Sequence, residues 1–176
     1  MLELSRQVAR FDSWNARANK HGDQRVPAGD LQLSIKASNT MLDQIDPTLR
    51  PMFYRRTNAA TRQQADLPGT EMTDTPALAT NRIHDVDIRY EIAGYALEIY
   101  RGIGDEPMIE LRDVTVDKMS ATLFEGGTIE LSFRVKANEV DAVQSGALHM
   151  LLMQDIDIKL IAPEAEPSLL DGDDED

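Results

Sequence analysis

The sequence predicts an α+β fold built mainly of antiparallel strands, with a disordered acidic C-terminal tail. Three observations predict it. Apolar and polar residues alternate with period two in four separate stretches, the mark of half-buried strands. Glu125-Gly126-Gly127 joins two of these stretches as a tight hairpin turn. Helical periodicity, by contrast, is confined to two short segments.

Taken in order, the pattern around Val8–Phe11 is short and mixed, and His21–Gln24 is a turn signal followed by Pro27 and Gly29. Asp30–Ala37 then alternates, with Leu31, Leu33 and Ile35 on one face and Gln32, Ser34 and Lys36 on the other. Asn39 is placed to cap a short helix carrying Met41, Leu42 and Ile45. Residues from about 56 to 81 are rich in Thr, Ala, Gln and Pro without a clear period and read as a long loop or linker. His84–Gly94 alternates through Val86, Ile88, Tyr90 and Ile92, and Leu97 and Ile99 continue the theme. Two strands follow, the second with Ile129, Leu131, Phe133 and Val135 on its inner face. Asn138 is placed to cap a helix with Val140 and Val143, and Met153–Ile161 closes the series through Ile156, Ile158 and Leu160. Residues 1–160 therefore read as one β-rich domain, and 161–176, with Pro163, Pro167 and a run of acids, as a disordered tail. Leu169 and Leu170 are the apolar anchors of that tail, placed to dock on a partner.

An internal repeat appears at an offset of 98 residues. It aligns Leu31 with Ile129, Leu33 with Leu131, Ser34 with Ser132 and Ile35 with Phe133, then Leu42 with Val140 and Ile45 with Val143. The segment reads as a duplicated unit of hairpin plus short helix; strand alternation by itself also aligns in this way.

Charge narrows the function. The net charge is −13, divided as +4 over Met1–Arg62, −10 over Gln63–Leu160 and −7 over Ile161–Asp176. So acidic a body argues against a protein that coats DNA, since phosphates are gripped by clustered Lys and Arg. The absence of Cys removes disulfides, thiolate metal sites and cysteine nucleophiles. No apolar run approaches a membrane span and no signal peptide opens the chain, so a cytoplasmic location is expected. Phosphate-binding, dinucleotide, zinc-protease and serine-hydrolase motifs are missing, and His21, His84 and His149 do not pair at ligand spacing. The Asp85/Asp87 and Asp155/Asp157 pairs read as the polar faces of strands rather than as cation ligands. No catalytic, cofactor or metal residue is assigned, and a metal-dependent hydrolase is the weakest of three classes.

Two binding classes remain. The first is a protein that binds another protein, such as a basic nucleic-acid-processing or defence complex, through Asp85, Asp87, Asp105, Glu106, Asp113, Asp117, Glu125 and Glu130. An array of carboxylates can occupy a partner's nucleic-acid groove as a DNA mimic and so act as an inhibitor. The second is a single-stranded DNA-binding module using the basic third: Arg6, Arg10, Trp14, Arg17, Lys20, Arg25, Tyr54, Arg55 and Arg56. Self-association is also expected, because exposed strand edges and the Met-rich His149–Met153 stretch offer interfaces.

Two resemblances add context. In layout, a small β-rich domain with an acidic tail resembles bacterial and phage single-stranded DNA-binding proteins; that implies a tail that recruits partners and competes for the DNA groove. The stretch Trp14–Arg55, with KHGD, RVPAGDL and NTMLDQIDPTLR, is similar to a segment of small uncharacterised phage and prophage accessory proteins. This second resemblance implies action in a host cytoplasm and assigns no residue a role.

Overall fold

The computed structural model describes residues 1–21, 24–56, 76–101, 104 and 106–163. Six long strands close into an antiparallel barrel, confirming the mainly antiparallel α+β class. They are β1 (Leu4–His21), β2 (Gln24–Ser38), β5 (Asp85–Tyr100), β6 (Ile109–Leu123), β7 (Thr128–Ala137) and β8 (Asp155–Ile161). A separate ribbon pairs β3 (Tyr54–Arg56) with β4 (Pro76–Leu78). Round the barrel the order is β1-β2-β7-β6-β5-β8, with β8 returning to β1.

Each strand turns one apolar row inward. Leu31, Leu33 and Ile35 of β2, Ile129, Leu131, Phe133 and Val135 of β7, and Leu97 and Ile99 of β5 are buried, together with Phe11 and Tyr95. Burial at roughly 25 cal/mol per Å2 of apolar surface makes this filled interior the main source of stability.

The order of elements falls into two equivalent halves. The β1–β2 hairpin leads through helices and the β3–β4 ribbon to β5; the β6–β7 hairpin leads through a helix alone to β8. Strand β2 meets β7, β5 meets β8, and the β1–β8 and β5–β6 seams correspond, so the strand order is unchanged when the two halves are interchanged. Ser34 pairs with Ser132, so the residues that the 98-residue offset aligns face each other at the centre of the β2–β7 seam. Leu31 pairs with Val135 and Ala37 with Ile129, symmetrically on either side.

Several sequence-based expectations need correction. The mixed pattern near Val8 is part of β1, an 18-residue strand. An irregularity between Phe11 and Ser13 breaks its alternation, which is why Phe11 and Trp14 both point inward. Ser38, not Asn39, caps the first helical turn (Asn39–Met41), its side chain accepting from the Thr40 N–H; Asn39 is buried. Two short helices follow, α1 (Leu42–Ile45) and α2 (Leu49–Phe53). Asp141, not Asn138, caps α3 (Ala142–Met150), in a reciprocal capping box with Gln144. The Gly126–Gly127 hairpin forms as expected, with both residues in the left-handed region, φ 84° and 81°. Within the expected loop at about 56–81, Arg56 and Pro76–Leu78 are strand residues of the ribbon, and Ile161 of the expected tail ends β8; residues 57–75 and 164–176 lie outside the described residues.

Candidate functional site

The basic residues do not assemble into one groove. Arg6 of β1 donates to Asp157 at 3.2 Å and to the Gly104 carbonyl at 2.7 Å, and its guanidinium sits 4.4 Å from the Tyr100 ring centre. Arg10 approaches Asp155 at 3.6 Å, and Arg17 approaches Asp30 at 3.2 Å. The cause is register: β8 sets Asp155 directly opposite Arg10 and Asp157 opposite Val8, next to Arg6. Trp14 and Tyr54 are core residues rather than stacking platforms. Trp14 is 7% exposed with its ring over Gly29. Tyr54 is buried, its hydroxyl within 3.1 Å of the Phe124 and Thr128 carbonyls, and burial pushes its phenol up. Lys20 and Arg25 pair across the β1–β2 hairpin, but their side chains lie outside the described set. Arg55 and Arg56 remain exposed, lining a cleft of about 310 Å3 with Arg50, Asn39 and Pro76.

The acidic residues divide three ways. Asp117 is the exception to surface placement: it is 6% exposed and held in a bidentate pair by Arg134 (2.7 and 2.6 Å) and by Lys136 (2.8 Å). The Arg134 hydrogen bonds hold its carboxyl below the usual carboxylate range, reinforced by Lys136 against the opposing effect of burial. It anchors a belt of alternating charge on the outer wall, running Arg17, Asp30, Arg134, Asp117, Lys136, Glu91 over five strands. Glu106 and Asp113 are exposed in and after the β5–β6 connection, Asp113 with φ 50°, while Asp105 lies outside the described residues. Glu130 lines a groove of about 480 Å3 where β1 peels away from β2, alongside Lys36, Arg10 and Asp155.

The third group is coherent. Asp85 and Asp87 open β5, opposite Thr122 and Ser120 of β6, and Glu125 stands in the adjoining β6–β7 turn. Asp85 Oδ1 accepts from Thr122 Oγ1 at 2.7 Å, and Glu125 accepts from the Leu78 N–H at 3.2 Å, so two of the three carboxylates are fixed. Strand β8 pairs with β5 only over Ala96–Tyr100. Among the described residues, no strand pairs with the second side of β5 from Asp85 to Gly94. The His84 carbonyl accepts from Leu123 N on β6. Backbone direction alternates along a strand, so the amides of Asp85 and Asp87 face the open side. Val86, Ile88, Tyr90 and Ile92 line the inner face of this stretch and are only half-buried.

Sequence reasoning found Asp85 and Asp87 but missed Glu91 and the edge itself. No local signal marks where a neighbouring strand stops. Met150 and Met153 of the His149–Met153 stretch are exposed, and so is Val143, which sequence reasoning placed only as an apolar residue of the helix and which lies seven residues before Met150 on α3.

Among the described residues no group of three or more His, Asp or Glu side chains is placed to hold a metal ion. No described helix is long and apolar enough to cross a membrane. Comparison with protein-family models, curated proteins and solved structures returned no match.

Proposed function

We propose that the protein is a non-catalytic accessory protein of the phage type that binds another protein through fixed carboxylates at the open end of β5. The partner is a basic nucleic-acid-processing or defence complex, and occupation of its nucleic-acid groove makes the protein an inhibitor. The observation that carries this reading is the union of Asp85, Asp87 and Glu125 on one end of the barrel with a strand side that nothing described covers. Held carboxylates lose little side-chain entropy on binding and steer a basic partner at long range. The phage-type setting is itself part of the proposal and rests on the resemblance read in Trp14–Arg55.

The test is capture from host lysate by the tagged full chain and by an Asp85→Lys/Asp87→Lys variant. The expected result is a specific partner whose capture falls at least tenfold in the variant and weakens with salt. Equal capture by both chains refutes the assignment. A second reading, single-stranded DNA binding, draws on Arg55 and Arg56, which have no ion-pair partner among the described residues. Salt-sensitive binding of a labelled oligonucleotide, lost on Arg55→Ala/Arg56→Ala, would favour it.

A further inference from the structure

From the same stretch of β5 we infer a recognition mode: the partner adds an extended segment as a new antiparallel strand beside Asp85–Gly94, and that segment alternates basic and apolar residues. The inference rests on the protein-binding reading above and specifies its chemistry.

Three features converge. The first is hydrogen bonding. The amides and carbonyls of Asp85 and Asp87 face away from β6 and have no described backbone partner, so they offer a ladder to an incoming strand. The second is the inner face. An added strand directs alternate side chains inward, beside the half-buried Val86, Ile88, Tyr90 and Ile92, so apolar residues there complete the cover of the core. The third is the outer face. The remaining side chains stand beside Asp85, Asp87 and Glu91, all exposed and acidic, with Arg89 the one cation between them. Cross-strand pairs of opposite charge are favourable and like pairs are not, so these positions select Lys or Arg.

The same logic disfavours the two occupants closest to hand. A second copy paired about Ile88 would set Asp85 against Glu91 twice and Asp87 against Arg89 twice, so repulsion and attraction offset and the acidic row gains no net charge complement. The chain's own continuation past Pro163, which packs against Gly94, carries seven acidic and no basic residues over 161–176 and a further proline at Pro167. That segment meets the acidic row with like charge and lacks one ladder donor.

The probe is an acetylated peptide alternating Lys and Val, as long as Asp85–Gly94, with a fluorophore at one end. Controls are the same composition in blocks, and the alternating peptide N-methylated at every second residue, in both phases. Titration of the full chain is followed by anisotropy. One-to-one binding is expected, stronger for the alternating than for the block peptide by at least tenfold. Methylation in the phase that faces β5 is expected to weaken it by roughly tenfold per blocked hydrogen bond, and methylation in the other phase to leave it nearly unchanged. Asp85→Lys/Asp87→Lys removes binding; Asp87→Asn, which keeps the amide, reduces it only in part. Binding indifferent to methylation phase means electrostatic attraction without strand addition and overturns the inference. So does a chain that dissociates from dimer to monomer on dilution and takes peptide only as monomer, since a second copy then owns the edge. Stronger binding by a chain ending after Pro163 that the free tail peptide reverses assigns the edge to the tail, and equally overturns it. Failure here is separable from failure of the functional assignment. If lysate capture falls in the Asp85→Lys/Asp87→Lys variant while no peptide binds, only the strand-addition mode is wrong.

Discussion

Replacing Gly29 by Ala is expected to be among the most damaging single-methyl additions in the barrel. Gly29 pairs with Ala16 across the β1–β2 hairpin, and the Trp14 ring lies over it. An ideal Cβ on Gly29 would stand 2.0, 2.3 and 2.7 Å from Trp14 Cη2, Cζ3 and Cζ2. Unstrained carbon contacts lie at about 3.5–4.0 Å, so the ring must retreat by about 1.5 Å. Two responses are open. A shift within the core costs about 1–3 kcal/mol, as overpacking generally does. Ejecting the ring forfeits its burial, about 3–5 kcal/mol on the scale of Trp truncation. The cheaper response dominates, so a loss of about 2–3 kcal/mol is expected. At roughly 2–4 °C per kcal/mol for a chain of this size, Tm falls by roughly 4–12 °C. Urea denaturation followed by tryptophan emission is the assay, because Trp14 is the single Trp of the chain. A double-mutant cycle isolates the cause. On a Trp14→Ala background the clash is gone, and Gly29→Ala becomes neutral or gains about 0.5–1 kcal/mol from strand preference. Additive effects of the two substitutions, or a Gly29→Ala chain with unchanged midpoint and emission, would refute the reasoning.

Other outcomes follow from the same coordinates. Asp117→Ala leaves the partly exposed Arg134 and Lys136 with only their longer contacts to Asp30 and Glu91 and should cost about 1–3 kcal/mol in chemical denaturation. Its folded carboxyl is depressed, so its contribution is present above the ordinary carboxylate pKa of about 3.9 and is lost as pH falls through the folded value; the wild type should lose more stability than Asp117→Ala between pH 5 and the acid transition. At the alkaline side the sign reverses. Burial raises the phenols of Tyr95 and Tyr54, Tyr95 further through its hydrogen bond with Tyr90. Absorbance at 295 nm should show Tyr54 and Tyr95 resisting ionisation above about pH 10, with stability declining as pH rises past that point. In the β6–β7 turn, Gly126→Ala should cost about 1 kcal/mol from its left-handed backbone, with open space for the methyl group. Gly127→Ala should cost measurably more, since its Cβ would also press on Pro76 Cγ at 2.9 Å; equal midpoints for the two would contradict this.

How far the fold could be read depended on how local its determinants were. The inward rows of β2, β7 and β8 follow from alternation alone, and Gly126–Gly127 fixed one turn. Strand β1 was illegible because an irregularity near Asp12 shifts its inward set, so Phe11 and Trp14 break any single period. Helix caps were misassigned to Asn39 and Asn138 because Ser38 and Asp141 are equally good acceptors; tertiary position chose between them. The site was legible only as charge. Counting carboxylates cannot separate Asp117, buried against two cations from a neighbouring strand, from Asp87, left exposed. Likewise the basic third looked like a groove until β8 supplied Asp155 and Asp157 to neutralise Arg10 and Arg6.

The seam that β8 makes with β1 and β5 has a consequence for how the molecule is assembled in time. The strand latest in sequence is the stave between the first strand and the fifth, with Leu160 set against both Leu4 and Leu97. During synthesis the β1–β2 and β5–β6 hairpins can form as soon as each is complete, but the cylinder cannot shut until Asp155–Ile161 has been made. Until then the nascent sheet is open along β1 and β5, with the apolar rows of both exposed. Closure joins residues about as far apart in the chain as the barrel allows, so it is the slow, entropically costly step of folding. Damage to β8 is therefore expected to be felt first as aggregation of newly made chains, before any loss in the finished protein.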